Sequence, residues 1–244
     1  MTREELLKIA KPILFNTDMV RAILDGRKTV TRRTVKPPYY VQGDENDKRT
    51  LIALRTAPRG SKLYREIGKM PYPDSPYQIS DILYVRETWR VGAWDIQNQM
   101  IAFDYKDGAC GKLVHISNRE RFERLVNQSR EDAWKAKCEY NSADFIWEKG
   151  KSPCRWHPSI HMPKEAARIF LKVTDVRVER LQDIDDKGAY EEGAGEKNAI
   201  YQIGGRVCDF VKIWNKTIKK SDLDLYGWDA NPWVWVIEFE KKEI

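Results

Sequence analysis

Apolar positions along the chain come in short blocks separated by polar and proline-rich stretches, and the spacing within each block sets the element it predicts. Ile13, Leu14 and Phe15 form a brief apolar run that reads as a strand. Asn16-Thr17 supplies a helix N-cap beside it, and Met19, Val20, Ile23 and Leu24 then recur at helical spacing. Gly26 stands where a helix C-terminus favours a left-handed residue. The chain therefore opens as strand, short helix and loop.

Residues 37–78 hold Pro37-Pro38, Pro58, Pro71, Pro73 and Pro76 with little periodicity, which predicts an extended insertion. Ile82 to Arg86 and Met100 to Tyr105 read as strands, the second closed by the turn Asp107-Gly108, and the two are expected to pair as neighbours. A second insertion follows to about 155, with a helix around Arg119 to Lys137. Ile169 to Val173 and Val176 to Val178 predict one long or bulged strand, and Asp183 to Glu192 a short helix weakened by Gly188 and stopped by Gly193. Cys208 to Ile218 carries apolar residues on one helix face, and Trp233 to Phe239 is apolar enough for a strand buried on both sides. Separated strands with few short helices predict an α+β fold, a small mixed β-barrel with flanking short helices rather than a doubly wound sheet.

Nine Trp, eleven Tyr and seven Phe in 244 residues supply enough apolar surface to offset chain entropy, which excludes disorder. No stretch reaches the roughly 18 apolar residues of a bilayer span, and mean hydropathy is −0.66. The segment MTREELLKIAKP lacks the apolar core of a secretory signal, so a cytoplasmic protein without membrane association is expected. Cys110, Cys138, Cys154 and Cys208 contain no C-x-x-C pair and read as reduced thiols. Net charge is +6, yet Arg27, Lys28, Arg32, Arg33 and Lys36 fall within ten residues that hold no acid. That cluster fits an anionic partner, nucleic acid first; its plainer reading is a solvated basic loop.

Four groupings can carry chemistry. In Gly26-Arg27-Lys28-Thr29-Val30-Thr31-Arg32-Arg33, an ammonium, hydroxyls and guanidinium groups follow a sharp turn; Lys28 and Thr31 share a face only if the segment bends. In Arg86-Glu87-Thr88-Trp89, the charged residues can pair with each other and Trp89 can offer a stacking face or sit in the core. In His157-Pro158-Ser159-Ile160-His161-Met162-Pro163, two histidines lie on a segment pinned by prolines. Cys154, His157 and His161 have ligand-like spacing, but no fourth ligand is adjacent, so neither a metal nor a cofactor is expected. Last come Ala189, Glu191 and Glu192 at a helix end. Hydrolase-elbow, P-loop and dinucleotide motifs are missing from the sequence.

Together GRKTVTRR, YQISDILYVRETW, HPSIHMP and VTDVRVERLQDI with AYEEG resemble the ASCH domain in its larger phage or prophage form, a relative of the RNA-binding PUA barrel. The resemblance covers about residues 10–37, 77–106, 156–195 and 205–241. It implies one PUA-like domain over 1–244, with insertions at about 38–76 and 107–155. It also implies a cleft lined by the G-x-K-x-x-T-R loop, binding RNA or a modified nucleoside. Some small members remove the acetyl group of N4-acetylcytidine with a Lys, a Thr and a Glu, which fall on Lys28, Thr31 and Glu192. In that reading Lys28 activates Thr31 or serves as base, Glu192 holds Lys28 or relays a proton, and Arg33 with backbone amides stabilises the oxyanion. Ligand contacts are expected from Gly26, Arg27, Arg32, Arg33, Arg86, Glu87, Trp89, Ser159 and His161. Ser80 departs from the glycine usual before the Asp. The competing readings are a ribonuclease and a phage accessory protein whose insertions bind protein.

Overall fold

The computed structural model describes residues 1–36, 39–43, 51–56, 62–63, 75–138, 144–196 and 205–243. The chain runs α1 (Arg3–Ile9), β1 (Lys11–Leu14), α2 (Thr17–Leu24), β2 (Val30–Thr34), β3 (Tyr39–Gly43), β4 (Leu51–Thr56), β5 (Lys62–Leu63) and β6 (Ile82–Arg86). Next come β7 (Trp89–Asp95), β8 (Met100–Tyr105), β9 (Val114–His115), α3 (Arg119–Lys135) and β10 (Asp144–Ile146). The chain continues through β11 (Phe170–Arg180), α4 (Asp186–Glu191), α5 (Gly205–Thr217), α6 (Leu223–Tyr226) and β12 (Trp233–Lys242). This is a mixed α+β fold with short helices. The described strands form open five-, four- and three-stranded sheets, so the closed barrel expected from the sequence is not formed: the outer strands of each order are paired on one side only.

Two compact units divide the chain: Met1–Arg21, Ile82–Leu171 and Lys242–Ile244 in the first, Ala22–Asp81 and Lys172–Lys241 in the second. In the first, Thr2 and Glu5 cap α1 reciprocally, the Glu5 N–H donating to Thr2 Oγ1 and the Thr2 N–H to Glu5 Oε2. Strand β1 pairs in parallel with β6, Ile13 opposite Val85. The expected pairing of the 82–86 and 100–105 strands does not occur. Strand β8 instead lies between β7 and β9. Gly92 and Arg90 interrupt the apolar pattern of β7, which hid this strand in the sequence. Its register shifts between Val91 and Ala93, where a Cβ on Gly92 would sit 2.5 Å from Asp104 Oδ1, so a larger residue at that bulge would have to displace the Asp104 carboxylate that pairs with Arg90. Helix α3, capped by Asn118 Oδ1 on the Arg121 N–H at 2.8 Å, buries Phe122, Leu125, Val126, Ser129 and Ala133. Of these, Phe122, Leu125 and Val126 share one core cluster with Trp89, Phe103 and Phe170, each burial contributing about 1.5–3 kcal/mol.

In the second unit β2 runs antiparallel to β12, with Thr31 opposite Ile237 and Arg33 opposite Trp235. Strand β12 lies between β11 and β2, and its consecutive residues Val234, Trp235, Val236 and Ile237 are all buried, so both of its faces are covered, which accounts for its continuous apolarity. Val30, Leu181, Ile184, Ala189, Phe210, Trp214, Val234 and Val236 form the core beneath α4 and α5. Asp185 Oδ1 caps α4 on the Gly188 N–H at 2.7 Å. Of the insertion expected at 38–76, the antiparallel strands β3, β4 and β5 are described, and most of the remainder lies outside the described residues. Among the described residues no helix is long and apolar enough to cross a membrane.

Candidate functional site

In the second unit the basic loop is stitched to its surroundings. Gly26 takes φ +78° and its N–H donates to Ile23 O at 3.2 Å, closing α2 as its position in sequence predicts. The N–H groups of Lys28 and Thr29 donate to Ala22 O and Glu191 O, both at 2.9 Å, fixing the loop against the end of α4. Arg27 Nε lies 3.0 Å from the Asp25 carboxylate, and Arg27 Nη1 donates to Gly193 O at 3.1 Å. Gly193 has φ +89°, and a Cβ there would meet the Ala22 Cβ at 2.9 Å.

Lys28 is 3% exposed. Its Nζ donates to Val30 O at 2.6 Å, Glu192 O at 2.8 Å and Glu192 Oε2 at 2.7 Å. Three acceptors match the three hydrogens of an ammonium. Glu192 Oε1 accepts from Arg32 Nη1 at 3.3 Å, and Arg32 Nη2 reaches Glu179 Oε2 at 3.4 Å. Burial pushes the Lys28 amine below the ordinary lysine value against the pull of Glu192, with the nearby Arg33 and Arg32 charges acting in the same direction as burial.

Thr31 does not join this cluster. Side chains alternate along β2, so Val30 and Arg32 share one face while Thr31 and Arg33 take the other. Thr31 is buried, and no hydrogen bond or ion pair links it to Lys28 or Glu192. The ammonium and the carboxylate expected from the sequence therefore meet, and Thr31 makes no hydrogen bond to either. Arg32 opens instead onto a pocket of about 280 Å³, where Glu179, Asp183, Asp185, Glu191 and Glu238 outnumber the cations Arg32, Arg177 and Lys187. That balance disfavours a phosphate. Lys36 lies over the Tyr226 ring at 5.1 Å. The loop's charge is largely taken up internally, which a count of neighbouring residues could not show.

The first unit holds a larger opening of about 670 Å³ between α3 and the 157–164 segment. Arg86, Arg121, Arg124 and Lys164 bring cations to it, and among the described residues no carboxylate lines it. Arg121 is paired with Glu165 at 3.1 Å, whereas Arg124 is exposed and makes no ion pair among the described residues. Arg86 Nε and Trp89 Nε1 are buried there without an acceptor among the described residues.

Arg86 receives no counter-charge from its neighbour Glu87. That carboxylate is 2% exposed and gripped by Arg168, with Nε to Oε1 at 2.8 Å and Nη2 to Oε2 at 2.7 Å. Burial raises the Glu87 carboxyl above the ordinary range, while Arg168 opposes that rise. Trp89 is also 2% exposed, with His157 stacked on it at 4.5 Å and 19° and Phe103 edge-on at 5.4 Å. Its ring is in the core, and the face expected to meet a base meets His157. Ser159 opens a 3-10 turn, Ser159–His161, which leaves His161 exposed at the opening. Cys154 is buried with Sγ 3.9 Å from Ser129 O, and among the described residues no group of His, Cys, Asp or Glu is placed to hold a metal ion.

No family model matches this chain, and neither curated proteins nor solved structures yield a match.

The sequence reading missed Arg121, Arg124 and Lys164, and it did not place His157 among the expected ligand contacts. A signal was present: Arg121, Arg124 and Gln128 recur at i, i+3 and i+7, one face of α3, directly above its apolar face. Only folding reveals that this face looks across at Arg86 and His161.

Proposed function

We propose that the protein binds nucleic acid, with RNA as the partner that the motif resemblance favours, and that the opening beside α3 is the binding site. The observation that carries this reading is the cleft itself, lined by the cations Arg86, Arg121, Arg124 and Lys164 and by no carboxylate among the described residues. Phosphate oxygens supply the opposite charge and accept from such guanidinium and ammonium groups. The volume lies within the ~300–1,000 Å³ of ordinary ligand sites. A PUA-like ancestry and a phage-type role belong to the same proposal and rest on the four motifs. Titration of purified protein with a labelled single-stranded RNA tests it: saturable binding that weakens as salt rises supports the reading, and no binding at low salt overturns it.

The amidohydrolase reading has one observation in its favour, the Lys28–Glu192 contact at 2.7 Å. Against it stand the saturated ammonium and the separate placement of Thr31. Release of acetate from N4-acetylcytidine, abolished by Lys28→Ala, would establish it.

A further inference from the structure

The two faces of the His157 ring have different surroundings. One lies on Trp89, which is rooted in the core against Phe103. The residue is nevertheless half-buried and lines the cleft, and among the described residues no second ring stacks on it. Its backbone is held by an antiparallel bridge: the His157 N–H donates to Trp89 O at 2.7 Å, and the Trp89 N–H returns to His157 O at 3.2 Å. Pro158 then fixes the exit of the chain. A ring so restrained costs little entropy when a second ring stacks on it. Burial and the nearby Arg155 charge hold the imidazole below its ordinary pKa, which keeps it a neutral platform at pH 7.

Resting on the nucleic-acid reading above, we infer that the cleft takes an unpaired nucleotide, its base stacked on the outer face of His157 and its phosphate held by Arg86. A base inside a duplex has both faces covered by its neighbours and cannot make that contact, so single strands are the substrate class. The Trp89–His157 stack would thus continue outward into the ligand, with Arg124 and Lys164 available to the flanking backbone.

The test compares a short single-stranded RNA with an abasic strand of the same length and charge. Wild-type protein is expected to bind the base-bearing strand about tenfold or more tightly, the size of one stacking contact. His157→Ala is expected to remove that preference and leave the affinity for the abasic strand unchanged. His157→Phe restores it, and Arg86→Ala weakens both strands. Equal affinity of the wild type for the two strands overturns the inference without need of any variant, as does an equal effect of His157→Ala on both. Failure of the wild type to bind either strand overturns instead the nucleic-acid reading on which it rests.

Discussion

Lys28 and Glu192 stand 164 positions apart in the chain and meet at 2.7 Å, both nearly excluded from solvent. Removing one member of a buried ion pair strands the other, at about 3–5 kcal/mol. Lys28→Met is therefore expected to lower stability by about 3 kcal/mol or somewhat more, with Arg32 still partly neutralising Glu192. Lys28→Met combined with Glu192→Leu should recover most of that loss, because apolar replacement of both partners removes the stranded charge. Denaturant unfolding of the two single variants and the double variant measures the coupling directly.

Gly26 and Gly193 both have positive φ but differ in their surroundings. A Cβ on Gly26 meets nothing within 4 Å, so Gly26→Ala should cost only the left-handed strain, about 1–2 kcal/mol. On Gly193 the same atom meets Ala22 Cβ at 2.9 Å, which adds overpacking for a total of about 2–5 kcal/mol. Paired thermal denaturation should rank Gly193→Ala as the more damaging.

Burial raises Tyr105 well above the ordinary tyrosine pKa, and its hydroxyl donates to Ala166 O at 2.5 Å. The unfolded chain releases this proton from about pH 10 upward while the folded chain retains it. Stability carried by the neutral phenol is complete below that pH and falls as pH rises toward the folded value. Tyr77 shifts in the same direction, also through burial. Absorbance titration should show these tyrosines ionising late or only on unfolding. Tyr105→Phe should flatten the alkaline loss at a cost of about 1 kcal/mol near pH 7.

Local spacing made much of the fold legible. Asn16 accepts the Met19 N–H at 2.9 Å, Gly193 stops α4, and β12 is buried on both sides, each as pattern and capping chemistry predict. Pairing between distant segments was not legible. Glu179 and Glu192 pair with Lys28 and Arg32 of a loop that looks cationic in sequence, and Arg168 takes Glu87 from its neighbour Arg86. Those two long-range exchanges decide where positive charge faces the cleft, which is why the residue cluster expected to bind anions and the cleft proposed to bind them differ. Arg86 and His161 were among the expected contacts, and they border that cleft together.

The salt dependence of RNA binding in Arg86→Ala and Arg32→Ala tests the central claim most directly. Deleting one cation that touches a single-strand phosphate reduces the slope of log K against log salt by about 0.7. The cleft reading predicts that Arg86→Ala weakens binding and shrinks the slope by about that amount. Arg32→Ala, which removes the ion pairs to Glu179 and Glu192, should lower stability and leave the slope unchanged. The reverse pattern, a reduced slope for Arg32→Ala and none for Arg86→Ala, would contradict the assignment of the cleft and return the binding site to the basic loop.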